Sequence, residues 1–93
     1  MKNFIQAAGG IDWYCEQRGK GPDLVLVPSG EGDCENYRRT AEALADDFTV
    51  LTFDTPGFSR TSRPADATEM SAYKLGSQIA ALVREFMSSS PVN

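Results

Sequence analysis

An α/β fold is what this sequence predicts, and three observations carry the prediction. Leu24-Val25-Leu26-Val27 is an unbroken apolar run between loop signals, which suits a strand covered on both faces by helices. Phe48-Thr49-Val50-Leu51-Thr52-Phe53 is a second run of the same kind, separated from the first by a segment of helical length. Beyond it, Leu75, Ile79, Leu82, Val83 and Phe86 recur at intervals of three and four, a spacing that puts them on one helix face. A strand, helix, strand, helix succession implies right-handed crossovers and a mostly parallel sheet.

Two more strands precede this unit. Asn3 to Ala7 and Ile11 to Arg18 are strand-like and flank Ala8-Gly9-Gly10, where paired glycines suit a tight hairpin turn. Ile11-Asp12-Trp13-Tyr14-Cys15-Glu16 alternates in the manner of a strand with one wet face. Gly19-Lys20-Gly21-Pro22 then breaks the chain ahead of Leu24. A helix is predicted from Glu35 to Ala45, with Tyr37, Ala41, Leu44 and Ala45 on its inner face.

The strand ending at Phe53 is halted by Asp54-Thr55-Pro56-Gly57. Thr68 is the predicted N-cap of the last helix. The order is therefore β-β-β-α-β-α, with an antiparallel hairpin leading the sheet. Residues 1–87 are expected to be the amino-terminal part of a single domain, and Ser88 to Asn93 an unstructured tail. A final helix with so strong an apolar face normally leads into another strand, so the fold is expected to be incomplete.

Composition limits the function classes. The chain has 93 residues, of which 41% are hydrophobic, and a net charge of -4, which disfavours phosphate backbones and anionic lipid as partners. Neither nucleic acid nor membrane is expected. Met1 to Gln6 holds one basic residue and no apolar run, so a cytoplasmic location is expected. With no His in the chain and Cys15 and Cys34 far apart, a zinc site is not expected and both cysteines read as free thiols. No metal and no cofactor is predicted.

The loop Val27-Pro28-Ser29-Gly30-Glu31-Gly32-Asp33 leaves the carboxyl end of a parallel strand, where open α/β sheets place their ligands. Gly30 and Gly32 would let backbone N–H groups turn outward as an oxyanion hole requires, or they would simply form a tight turn. Asp54 to Gly57 is turn chemistry at the same edge of the sheet. Arg60 and Arg63 read as solvated loop arginines. Glu31, Asp33 and Glu35 cluster at a helix N-terminus, which favours negative charge and could also suit a hard cation. No serine sits in a G-x-S-x-G elbow. Without histidine, triad acyl transfer is beyond this chain alone.

Several ordered segments resemble the amino-terminal portion of α/β-hydrolases, most closely the zearalenone-type lactone hydrolases. They are Ile11-Asp12-Trp13-Tyr14, Gly21 to Pro28, Ser29-Gly30-Glu31-Gly32, and Phe48 through Arg60. The likeness runs from about Ile11 to Val83. It implies that the backbone N–H of Gly30 supplies one half of an oxyanion hole, with Ser29 and Glu31 beside the substrate. Ser29 stands where the zearalenone enzymes would carry an acidic residue. The family's serine, acid and histidine would fall beyond Asn93. It further implies that the strand at Leu24 to Val27 has an open outer edge, because its neighbour in the family is the nucleophile strand.

Three functions fit these features. The first is the amino-terminal fragment of a hydrolase of carboxylic ester or lactone bonds, inactive alone and completed by a carboxyl-terminal segment. A dinucleotide-binding half-domain is the second, because Gly30-Glu31-Gly32 follows one strand and Asp54 ends the next. The third is a non-catalytic interaction module that associates with itself or with another sheet through an open strand edge.

Overall fold

The computed structural model describes residues 1–29, 32–63 and 72–88. Strand β1 spans Lys2–Ala8 and β2 spans Ile11–Gly19, joined by a turn at Gly9 and Gly10 whose φ values are 59° and 78°. Strand β3 covers Asp23–Val25 and β4 covers Thr49–Phe53. Between them lie a 3-10 turn, Cys34–Tyr37, and helix α1, Arg38–Leu44. Helix α2 runs Ala72–Ser88. The order is the one expected, although α2 takes in Ser88, assigned to the tail. Thr68 and the remaining tail positions lie outside the described residues.

The four strands form one sheet in the order β1-β2-β4-β3. β1 and β4 each run antiparallel to β2, with Phe4 opposite Cys15 and Cys15 opposite Phe53. β3 and β4 are parallel, with Leu24 opposite Val50 and Val25 opposite Leu51. Side chains alternate between the faces of each strand. One face gathers Ile11, Trp13, Cys15, Leu51 and Phe53, and α2 seats Leu82 and Phe86 on it. Trp13 and Phe53 meet edge to face with centroids 5.3 Å apart, a favoured aromatic geometry. The Trp13 indole N–H donates to the Ala8 carbonyl at 3.1 Å, so this fully buried ring leaves no polar atom unsatisfied.

The other face is not apolar. Asp12, Tyr14, Glu16 and Arg18 line it on β2, and Glu16 is only 2% exposed. Helix α1 covers this face beside β2 and β4 and buries Ala41. Tyr37, predicted to point inward with Ala41, is instead 40% exposed. The cause is the 3-10 turn that precedes α1. Its tighter winding places Tyr37 outside the phase of the α-helical stripe.

Coverage of β3 is also less complete than predicted. Leu24, Val25 and Leu26 are half-buried and Val27 is 47% exposed. The ladder ends at Val25, although the Leu26 N–H still donates to the Leu51 carbonyl at 3.0 Å. The helices sit over the β1, β2 and β4 side of the sheet, and β3 is its edge.

Candidate functional site

Two loops leave the carboxyl ends of the parallel pair, and their residues interlock. Ser29 begins the first loop, and Gly30 and Glu31, predicted as oxyanion donor and substrate contact, lie outside the described residues. The residues on either side of them are tightly held. The Ser29 carbonyl accepts from the Gly32 N–H at 2.7 Å, while the Ser29 N–H donates to the Asn36 side-chain oxygen at 3.1 Å. The Ser29 hydroxyl, itself exposed, is engaged with that same oxygen at 3.3 Å. The N–H of Gly32 is thus consumed within the loop and does not turn outward. The reason for glycine at 32 is steric: a β-carbon there would overlap the Asn36 side chain.

The second loop supplies the other half of the bracing. The Thr55 N–H donates to the Gly32 carbonyl at 3.0 Å and its hydroxyl to the Ser29 carbonyl at 3.3 Å. Asp33 caps the 3-10 turn by accepting from the Glu35 N–H at 2.9 Å, and its other oxygen accepts from the Ser59 hydroxyl at 2.9 Å. Ser59 holds a left-handed φ of 48°, an uncommon conformation for a residue with a β-carbon. Thr55-Pro56-Gly57-Phe58 closes a turn through the Phe58 N–H to the Thr55 carbonyl, with proline and glycine at the positions that turn chemistry favours.

Asp54 is the pivot. Fully buried, its carboxylate accepts from the Cys34 N–H at 3.0 Å, the Arg60 N–H at 2.9 Å and the Arg60 guanidinium at 2.8 and 3.1 Å. Burial alone would raise the Asp54 carboxyl, but the guanidinium and the two backbone donors outweigh it and hold the group below its ordinary value. Its partner is pushed the other way, the Asp54 carboxylate raising the Arg60 guanidinium. Arg60 was expected to be a solvated loop arginine. It is exposed as expected, but it is also clamped, stacked 3.8 Å from the Tyr14 ring centroid, because it neutralises a carboxylate taken out of water. Arg63 is exposed as expected.

Beneath this clamp lies a second buried carboxylate. Glu16 pairs with Arg18 at 3.5 Å and Arg38 at 3.6 Å, approaches Arg60 at 4.0 Å, and accepts from the Tyr14 hydroxyl at 3.0 Å. Arg38 also pairs with Glu35, so at this helix start Glu35 meets an arginine, whereas Asp33 is held by the Ser59 hydroxyl. Among the described residues no cluster of acidic or thiol groups is arranged to hold a metal ion. Cys15 and Cys34 are buried and free, and burial pushes each thiol up to about 12. Neither is a ready nucleophile at neutral pH. A cavity of about 220 Å³ lies on the α2 face, lined by Phe4, Cys15, Leu51, Leu82 and Phe86 among others. No residue of either loop lines it.

Sequence reasoning passed over Asn36, Thr55, Ser59 and Glu16. Only Glu16 had a usable signal, as one of four polar residues at alternate positions of β2. The others act through contacts between segments distant in the chain.

Residues 22–93 match the family model described as alpha/beta hydrolase fold. The chain belongs to the α/β-hydrolase family. This α/β-hydrolase chain is 43% identical over 81 residues to a zearalenone hydrolase of Bionectria ochroleuca, covering 84% of this chain and 31% of the relative. A zearalenone hydrolase of Cladophialophora bantiana is 39% identical over 82 residues, with 85% of this chain and again 31% of the relative covered. Among solved structures, a potato epoxide hydrolase superimposes with a TM-score of 0.85 at 17% identity, over 96% of this chain and 29% of its own. At that identity the likeness concerns the fold alone. The chain therefore spans about a third of the length of these relatives. No described helix is long and apolar enough to cross a membrane.

Proposed function

We propose that this chain is the amino-terminal portion of a hydrolase of carboxylic ester or lactone bonds. On this reading it contributes the oxyanion loop after β3 and is inactive alone. The observation that carries the reading is the bracing around the loop. Ser29 and Gly32, the described residues on either side of Gly30 and Glu31, are fixed by Asn36, Thr55 and the Asp54 clamp. A donor that stabilises charge developing on a carbonyl oxygen must be positioned before the charge appears. Gly30 is assigned that role by the family pattern, with Ser29 and Glu31 as its neighbours at the substrate. Because the Ser29 hydroxyl is already held by Asn36, we assign Ser29 to shaping the loop as much as to touching substrate.

With zearalenone hydrolases among its relatives, this reading takes a lactone as the substrate and a cytoplasmic setting for the chain. A serine nucleophile, an acid and a histidine would come from a carboxyl-terminal segment. The test is hydrolysis of a p-nitrophenyl ester. It is expected to be undetectable for the 93 residues and to appear when they are joined to a carboxyl-terminal part bearing G-x-S-x-G. Turnover by the 93 residues alone would overturn the assignment.

A further inference from the structure

We propose that the cavity under α2 binds a medium-chain monocarboxylate, with the carboxylate held between Lys2 and Gln17 and the alkyl chain lying against Leu51 and Leu82. The inference is independent of the hydrolase reading. Strand alternation builds the cavity. Directly opposed residues of neighbouring strands share a face, and Lys2 lies opposite Gln17 while Gln17 lies opposite Leu51. These three side chains therefore stand in one row across β1, β2 and β4, on the face that carries Trp13. Phe4 and Cys15 begin the next row. Leu82 and Phe86 of α2 roof both rows, and the enclosed space is about 220 Å³. A dry cavity of about 150 Å³ is enough for a benzene ring, so there is room here for a larger apolar group.

Exposure and polarity change together along the row. Leu51, Cys15 and Leu82 are fully buried, Phe4 and Gln17 are half-buried, and Lys2 is exposed. The cavity is thus closed and apolar under β4 but open and polar at the β1 edge. At that mouth the Lys2 ammonium sits 5.4 Å from the Phe4 ring centroid, which places a positive charge over the lining. Gln6 spends its amide N–H on the Ala7 carbonyl at 3.0 Å. The Gln17 amide, by contrast, has no hydrogen-bond partner among the described residues. An ammonium and an uncommitted amide N–H, side by side, are complementary to one carboxylate. Two strand spacings of about 4.8 Å separate Lys2 from Leu51, a depth of about 10 Å that favours an alkyl chain of about eight carbons over a compact ring.

The probe is sodium octanoate, titrated into the 93-residue chain and followed by methyl and amide NMR. Saturable shifts should appear at Gln17, Leu51 and Leu82, and none at Ser29 or Thr55, whose loops do not line the cavity. Affinity should climb by up to about fourfold per methylene from butanoate to octanoate and then level off, because longer tails outrun the closed end. Octanamide, the uncharged isostere, should bind about fivefold more weakly. Lys2→Gln alters an exposed side chain and leaves the core intact; it should erase most of that advantage, as should high salt. Gln17→Leu should weaken octanoate while leaving octanamide less affected. No saturable shift, shifts centred away from the cavity, octanamide binding as tightly as octanoate, or Lys2→Gln without effect would each overturn the proposal. So would a dimer of the chain that covers Leu82 and Phe86 without ligand, which would give the cavity to a second copy.

Discussion

The two faces of β2 solve the burial problem in opposite ways. On one, Trp13 and Cys15 pack with Phe53, Leu51, Leu82 and Phe86, and stability there scales with apolar area removed from water. On the other, Tyr14, Glu16 and Arg18 build a buried ion network that reaches Arg38 and Arg60. Charged contacts of this kind add little net stability against their desolvation cost. What they do add is connection, since Arg38 opens α1 and Arg60 belongs to the loop that braces Ser29 and Gly32. The apolar face holds the sheet to its helix, and the charged face holds the sheet to its loops.

Perturbations chosen for one face or the other can break this division. The largest effect is expected from Trp13→Ala, which opens a cavity and removes the indole donor from the Ala8 carbonyl; a loss of about 3–5 kcal/mol should appear in urea unfolding, unchanged by salt. Glu16→Gln leaves Arg18, Arg38 and Arg60 without their common carboxylate. Because two of those arginines are partly exposed, the cost should be about 2–3 kcal/mol, shrinking in high salt. Equal salt dependence for the two variants would show that the faces are not distinct.

Gly32→Ala drives a methyl group into Asn36. A loss of about 1–2 kcal/mol is expected, along with faster exchange of the Ser29 amide; unchanged exchange there would remove Asn36 from the bracing. Asp54 provides a pH test. Its folded value lies below its unfolded one near 3.8, so the unfolded chain binds more protons just below that pH. The Asp54 contribution is therefore complete above it and lost as pH falls through the folded value. Asp54→Asn should cost about 1–2 kcal/mol at neutral pH and flatten that acid limb of the stability curve. The smallest change should be a gain. Gly76 lies inside α2 and is exposed with open space about it, so Gly76→Ala should raise the unfolding free energy by about 0.5–1 kcal/mol.

The apolar face was legible in the sequence because its information is periodic. The alternation of Ile11, Trp13 and Cys15 and the stripe through Ile79, Leu82 and Phe86 each declare a buried side within a single element. The charged face was not legible, since Arg60 looks like any loop arginine until the chain returns it to Asp54 and Tyr14. Asn36 failed for a related reason: its role depends on the close approach of Gly32, a distance that no spacing encodes. The phase of α1 was misjudged at Tyr37 because a 3-10 turn and an α-helix begin with the same residue types.

The bracing has a consequence for the order of events at the ribosome. Ser29, Gly32, Asp33, Cys34, Asn36, Asp54, Thr55, Ser59 and Arg60 supply its donors and acceptors, and all precede α2. Translation releases amino-terminal residues first. The corner after β3 is accordingly specified by polypeptide that emerges before the helix that completes the apolar core, so its shape is inherited by whatever is synthesised later.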